Sequence, residues 1–124
     1  MLSRSDIIGF IPTKDPTRAR DFYELTLGLR FLVDDIFAIV MEAKGHMIRI
    51  VHVKEFTPFP FTILGWDVCN IEAEVATLAA RGISFKRYQW LEQSEAGVWT
   101  APEGAKVAWF QDPDGNVLSL SQHP

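Results

Sequence analysis

AWFQDPDGNVLSLSQ, residues 108–122, is the stretch that decides the fold. Asp112, Pro113 and Gly115 fill the first, second and fourth places of a type I turn. The aspartate can bond the turn's own amides, the proline ring fixes φ, and glycine tolerates the last position. The runs on either side, Ala105–Phe110 and Asn116–Ser121, are rich in aromatic and aliphatic residues, so a closing hairpin is expected. Strand alternation sends Leu118 and Leu120 to one face, toward a helix, and Val117, Ser119 and Ser121 to the other. Trp109 shares its phase with Val107 and Gln111.

Working outward, GHMIRIVH at 45–52 repeats the pattern of GNVLSLSQ at 115–122, 70 residues apart. Ile48 and Ile50 then belong to a core face, and Met47, Arg49 and Val51 to the opposite one. Two helices are punctuated alike. Asp15 caps the first, with Pro16 at its first position, Ala19, Phe22, Tyr23 and Thr26 on one face, and Gly28 as its stop. Asn70, 55 residues after Asp15, caps the second; Ile71, Val75, Leu78 and Ala79 form its stripe and Gly82 ends it. Further strands are expected at Asp6–Ile11, Leu29–Val33, Ile36–Met41, His46–Val53, Thr62–Val68 and Ile83–Tyr88. The order β-α-β-β-β therefore occurs twice. The two offsets differ by 15, which places extra residues between Tyr88 and Gly104. The fold class is α+β: two βαβββ modules, each a mixed sheet with its helix on one face. Module one covers about 1–53, a linker 54–61, and module two 62–124, within one domain at 1–124.

Composition narrows the function. Hydrophobic residues make up 48% and charged residues 23% of the 124, which is ordinary for a globular chain. Twelve Lys and Arg against 16 Asp and Glu leave a net charge of −4 without a basic cluster, so neither nucleic acid nor an anionic membrane is an expected partner. Cys69 is the one cysteine, which rules out an intrachain disulfide and fits a reducing compartment. The longest apolar run, Ile36–Met41, is too short to span a bilayer, and MLSRSD lacks the apolar stretch of a signal peptide. A cytoplasmic location is expected.

DPTRARDFYELTLGLRF, GWDVCNIEAEVATLAARGISF and AWFQDPDGNVLSLSQ together resemble the vicinal oxygen chelate superfamily, which includes glyoxalases, bleomycin-resistance proteins and extradiol dioxygenases. The resemblance covers almost the whole chain and implies paired modules curled into a cup, with two chains sharing an interface. It also implies four metal-ligand positions, one on each of four strands. These fall on Ile8, Arg49, Ile63 and Ser119. None is a carboxylate or an imidazole, and Arg49 would repel a divalent cation. No metal and no cofactor are therefore expected.

The remaining residues were weighed for chemistry. His46, His52 and His123 read as polar residues at strand ends, and Cys69 as a structural thiol without an activating base. No pair of carboxylates stands out as acid and base. Trp66 and Phe110 read as core. Trp90, Trp99 and Trp109, with Phe37, suit capture of a flat organic molecule as well as they suit packing. Arg49 reads either as half of a salt bridge or as an anion clamp, with Ser119 adding a hydroxyl. The inserted loop is long enough to act as a flap. The expected ligand-binding set is Ile8, Phe37, Arg49, Ile63, Trp90, Trp99, Trp109 and Ser119.

The leading expectation is a metal-free protein that binds a small hydrophobic or aromatic molecule, with an anionic group as an option for the ligand, resembling the bleomycin-resistance branch. The alternative is a glyoxalase-like lyase, isomerase or dioxygenase on the same fold; the balance lies against an enzyme. KEFTPFPF at 54–61 exposes three phenylalanines, which a homodimer interface would cover.

Overall fold

In the computed structural model, which describes residues 1–124, the chain divides into two compact units, Met1–Thr57 and Pro58–Pro124. In the first unit β1 (Ile8–Thr13) is followed by α1 (Pro16–Asp21), β2 (Arg30–Asp34), β3 (Ala38–Ala43) and β4 (His46–His52). In the second, β5 (Thr62–Asp67) is followed by α2 (Ile71–Ala80), β6 (Trp99–Thr100), β7 (Lys106–Gln111) and β8 (Val117–Gln122). The sheet orders are β1-β4-β3-β2 and β5-β8-β7-β6. In each, the first strand runs parallel to the last and the other pairings are antiparallel. The βαβββ order recurs as expected, in two four-stranded mixed sheets with two helices and no closed barrel. No helix is long and apolar enough to cross a membrane.

Both helix starts follow the sequence. The Asp15 carboxylate accepts from the Arg18 amide at 3.1 Å, and the Asn70 side chain accepts from the Ala73 amide at 3.2 Å. After Asp21 the first helix widens: the Leu27 amide donates to the Phe22 carbonyl at 3.0 Å, a five-residue step. The extra residue per turn alters the expected stripe. Ala19 and Tyr23 are buried, whereas Phe22 and Thr26 stay half-exposed. In α2, Ile71, Val75 and Leu78 are buried and Ala79 lies outside the stripe.

The cores lie between each helix and its sheet. α1 packs on β3 and β4, over Ile39, Met41, Ile48 and Ile50. α2 packs on β7 and β8, over Ala108, Phe110, Leu118 and Leu120. Each large apolar side chain buried this way contributes about 1.5–3 kcal/mol. The closing turn forms as expected, with the Gly115 amide donating to the Asp112 carbonyl at 3.0 Å. The buried Asp112 carboxylate also accepts from the amides of Asp114 and Asn116 and from the Asn116 side chain.

One expected strand does not form. Residues 83–88 make no ladder; the second strand of the second unit is the two-residue β6, inside the insertion. The edge of β7 is shared instead. Trp99 and Thr100 pair with its start, and the Lys86 amide alone reaches the Trp109 carbonyl, at 2.7 Å. Side chains satisfy the backbone groups that a strand would have paired. The Arg87 guanidinium donates to the carbonyls of Gln93, Ser94 and Glu95 at 3.2, 2.9 and 3.2 Å. The Gln93 amide group donates to the carbonyls of Lys86 and Gly97 and accepts from the Tyr88 amide. The insertion expected to act as a flap is thus tied down along its length.

Candidate ligand-binding site

Register assigns the face of the second sheet that α2 leaves uncovered. Trp99 stands opposite Val107, Trp109 opposite Ser119, and Ser119 opposite Gly65. These side chains share one face, away from Leu118 and Leu120. Two of the expected tryptophans therefore meet here, with ring centroids 6.2 Å apart. Tyr88 stands edge-on to Trp109 at 5.4 Å and 87°, and Trp90 tilts against Tyr88 at 5.0 Å and 45°. Trp99, Trp109, Tyr88 and Trp90 make one continuous series of rings, starting half-buried and ending at Trp90, which is 77% exposed.

Two cavities open beside this series. One, of about 310 Å³, lies among Pro60, Phe61, Tyr88, Trp90, Leu91 and Trp109. The other, of about 380 Å³, has Phe59, Lys86, Tyr88, Trp90, Gln111 and Val117 in its walls. Tyr88, Trp90 and Pro60 belong to both. Phe59 and Phe61 stack on each other at 5.0 Å and 12° and remain 61% and 57% exposed. Pro58 sits against Gly115, which has φ of +91° and where a Cβ would come within 3.2 Å of the proline ring. Burial pushes the Tyr88 phenol up from its ordinary value, so at neutral pH it keeps its proton and can donate. Together these cavities offer broad apolar ring faces with a few polar groups, the usual makeup of a small-molecule site.

The other expected residues are distributed differently. Ile8, Phe37 and Arg49 belong to the first unit; Ile63, Trp90, Trp99, Trp109 and Ser119 belong to the second. Arg49 is not a free clamp. Its guanidinium donates to the Asp35 carboxylate at 2.7 Å, and the other oxygen of Asp35 accepts from the amides of Phe37 and Ala38 at 3.1 and 2.9 Å. A carboxylate organised by two amides and within reach of a guanidinium forms a charge-assisted pair, and the Arg49 bond holds the Asp35 carboxyl below its ordinary range. Ser119 is only 6% exposed and lies so close to the backbone of Gly65 that a Cβ there would come within 2.9 Å of its hydroxyl. Ile63 falls at a register shift between Thr62 and Leu64, and Thr62 takes the place opposite Val117 that Ile8 takes opposite Met47. Ile8 is 45% exposed on the uncovered face of the first sheet, beside Phe10 at 63%. Phe37, 71% exposed, lines a separate cavity of about 300 Å³ with Asp34, Ile36 and His52.

No protein-family model matches the sequence, and no curated protein matches it. Solved structures do. A member of the glyoxalase/bleomycin resistance protein/dioxygenase superfamily from Sphaerobacter thermophilus aligns over 99% of this chain and 100% of its own, with a TM-score of 0.78 and 22% identity. The chain has the glyoxalase/bleomycin resistance fold. TnmS3, an antibiotic-binding protein from a Streptomyces species, aligns over 100% of this chain and 99% of its own at TM-score 0.70 and 26% identity. A lactoylglutathione lyase from Agrobacterium tumefaciens aligns over 96% and 93% at TM-score 0.73 and 12% identity.

The metal that some proteins of this fold hold has no fitting donor set here. Ile8, Ile63, Arg49 and Ser119 supply two aliphatic groups, an ion-paired cation and a nearly closed-off hydroxyl. No three His, Cys, Asp or Glu side chains gather elsewhere. A divalent ion needs oxygen, imidazole or thiolate donors converging on one point, and these positions do not provide them.

Reading residues alone missed Tyr88, Lys86, Phe59 and Phe61 as members of the site. Tyr88 and Lys86 sat in what read as a strand, and the phenylalanines read as interface. The alternation Lys86, Tyr88, Trp90 carried a signal: three large side chains two residues apart, turned to one side.

Proposed function

We propose that this protein binds a planar aromatic small molecule, without a metal, on the ring series Trp90–Tyr88–Trp109–Trp99. The observation that carries this reading is the pair of cavities, about 310 and 380 Å³, that share Tyr88 and Trp90 in their walls. Indole and phenol rings give large apolar contact with few torsions to freeze, and they favour offset or edge-on partners of the same kind. The antibiotic-binding protein TnmS3, of the same fold, supports a capture role. The enzyme reading has less support, because the four donor positions hold no carboxylate or imidazole. A second copy of the chain is the fitting cover for exposed Phe10, Phe59 and Phe61.

The test is calorimetric titration of the purified chain with planar aromatics of two and three fused rings, and with aliphatic compounds of equal volume. Saturable binding near one per chain, with quenched tryptophan emission and the aromatic recovered unchanged, is the expected result. Equal affinity for the aliphatic series, or chemical conversion of the bound compound, overturns the proposal.

A further inference from the structure

The first unit spends its half-buried cation at Arg49 on Asp35, but the second unit has a cation that is not spent. Four Lys or Arg side chains are half-buried: Arg20, Arg49, Lys86 and Lys106. Three are ion-paired, Arg20 with Glu24 at 3.1 Å, Arg49 with Asp35 at 2.7 Å and Lys106 with Glu72 at 2.8 Å. Lys86 has no carboxylate partner, although acidic residues outnumber basic ones in the chain, 16 to 12. Its ammonium instead lies 5.7 Å from the centre of the Tyr88 ring.

The backbone of Lys86 is held on both sides. The Lys86 amide donates to the Trp109 carbonyl at 2.7 Å, and the Lys86 carbonyl accepts from the Gln93 side chain at 2.9 Å. Lys86 is therefore held between β7 and the tied-down insertion, and it lines the 380 Å³ cavity with Phe59, Tyr88, Trp90 and Gln111. No acidic residue lines either aromatic cavity. Tyr88 keeps its proton and adds no negative charge. An ammonium in the wall of a ring-lined cavity, with low-dielectric side chains around it, attracts an anion more strongly than one in open water does. The Tyr88 ring face compensates it only weakly.

We propose that the aromatic site selects planar aromatic carboxylates, with Lys86 as the selecting charge and the rings of Tyr88 and Trp90 holding the flat body. This rests on the aromatic-binding reading above and adds to it the chemical class of the ligand.

The two can be separated by titrating the full chain calorimetrically with 2-naphthoate and with its neutral isostere 2-naphthamide. The expected result is naphthoate binding at least tenfold tighter than the amide, with the advantage shrinking as sodium chloride rises toward half molar. Lys86→Met should remove the difference between naphthoate and the amide, while Lys86→Arg should retain the preference. Thermal melts establish that both variants fold; if Lys86→Met does not, the salt dependence of the wild type and the Lys86→Arg result decide. Equal binding of acid and amide by the wild type, or equal weakening of both by Lys86→Met, overturns charge selection and leaves aromatic capture standing. Failure of both compounds to bind overturns the two together.

Discussion

Trp90→Ala separates binding from folding more sharply than any other single change. Trp90 is 77% exposed, so folding removes only about a quarter of its side chain from water. A fully buried aromatic covers roughly 150–250 Å², so the buried portion is roughly 50 Å² and is worth about 1 kcal/mol at ~25 cal/mol per Å². Its one ring partner, Tyr88 at 5.0 Å, adds about 0.5–1.5 kcal/mol. Truncation should then cost about 1.5–2.5 kcal/mol of stability, a drop of several degrees in Tm. Phe110 supplies the contrast: it is 0% exposed, between Trp66 and Phe85, and Phe110→Ala should cost about 3–5 kcal/mol. A planar ligand on Trp90 covers what folding leaves exposed, so the same truncation should weaken binding by about 1.5–3 kcal/mol, or roughly 10- to 150-fold. Calorimetric titration gives the affinity and urea unfolding the stability. An affinity within twofold of wild type would falsify the placement of the ligand on this ring, and a stability loss as large as that of Phe110→Ala would show that Trp90 is structural.

Gly115→Ala should destabilise by about 1–2 kcal/mol, because φ is +91° and a Cβ would sit 3.2 Å from Pro58; the urea midpoint should fall at unchanged slope, and an unmoved midpoint would mean that the turn relaxes freely. Asp35 is depressed in the folded protein, so the stability it adds is complete above the ordinary carboxylate range and is lost as pH falls through the lower folded value. NMR titration should show the amides of Phe37 and Ala38 unmoved until that acid range, whereas a transition at the ordinary value or higher would contradict the Arg49 pair. Sedimentation at micromolar concentration should give a homodimer, since Ile8, Phe10, Phe59 and Phe61 leave 45–63% of their surfaces uncovered; a stable monomer would remove the interface from the reading.

The legible parts of the fold were those written in local chemistry. Asp15, Asn70 and the Asp112–Gly115 turn are backbone-bonding side chains, and their partners lie within four residues. Alternation on β4 and β8 located Ile48, Ile50, Leu118 and Leu120 correctly in the cores. The segment at 83–88 misled because its apolar and aromatic residues fit a strand equally well. What decided it was the reach of Arg87 and Gln93 to carbonyls up to eight residues away. Within the site, the face of Trp109 was foreseeable from its strand phase with Val107 and Gln111, whereas Trp99, in the insertion, owes its place to the pairing of β6 with β7. Trp90's contact with Tyr88 depended on the path of an irregular segment.

The sequence by itself determined the two-fold repeat of β-α-β-β-β, the helix caps and the closing turn. These depend on residue type and short spacing, and both are present in the unfolded chain. Tertiary structure alone decided which cation is spent and which is free. Arg49 lies fourteen residues from Asp35 and Lys86 lies twenty-three before Trp109, and neither separation favours one contact over another in a flexible chain. Pairing of β3 with β4 brings the turn carboxylate to the guanidinium, and the bonds from Lys86 to Trp109 and Gln93 bring the irregular segment, with its half-buried ammonium, beside the aromatic rings.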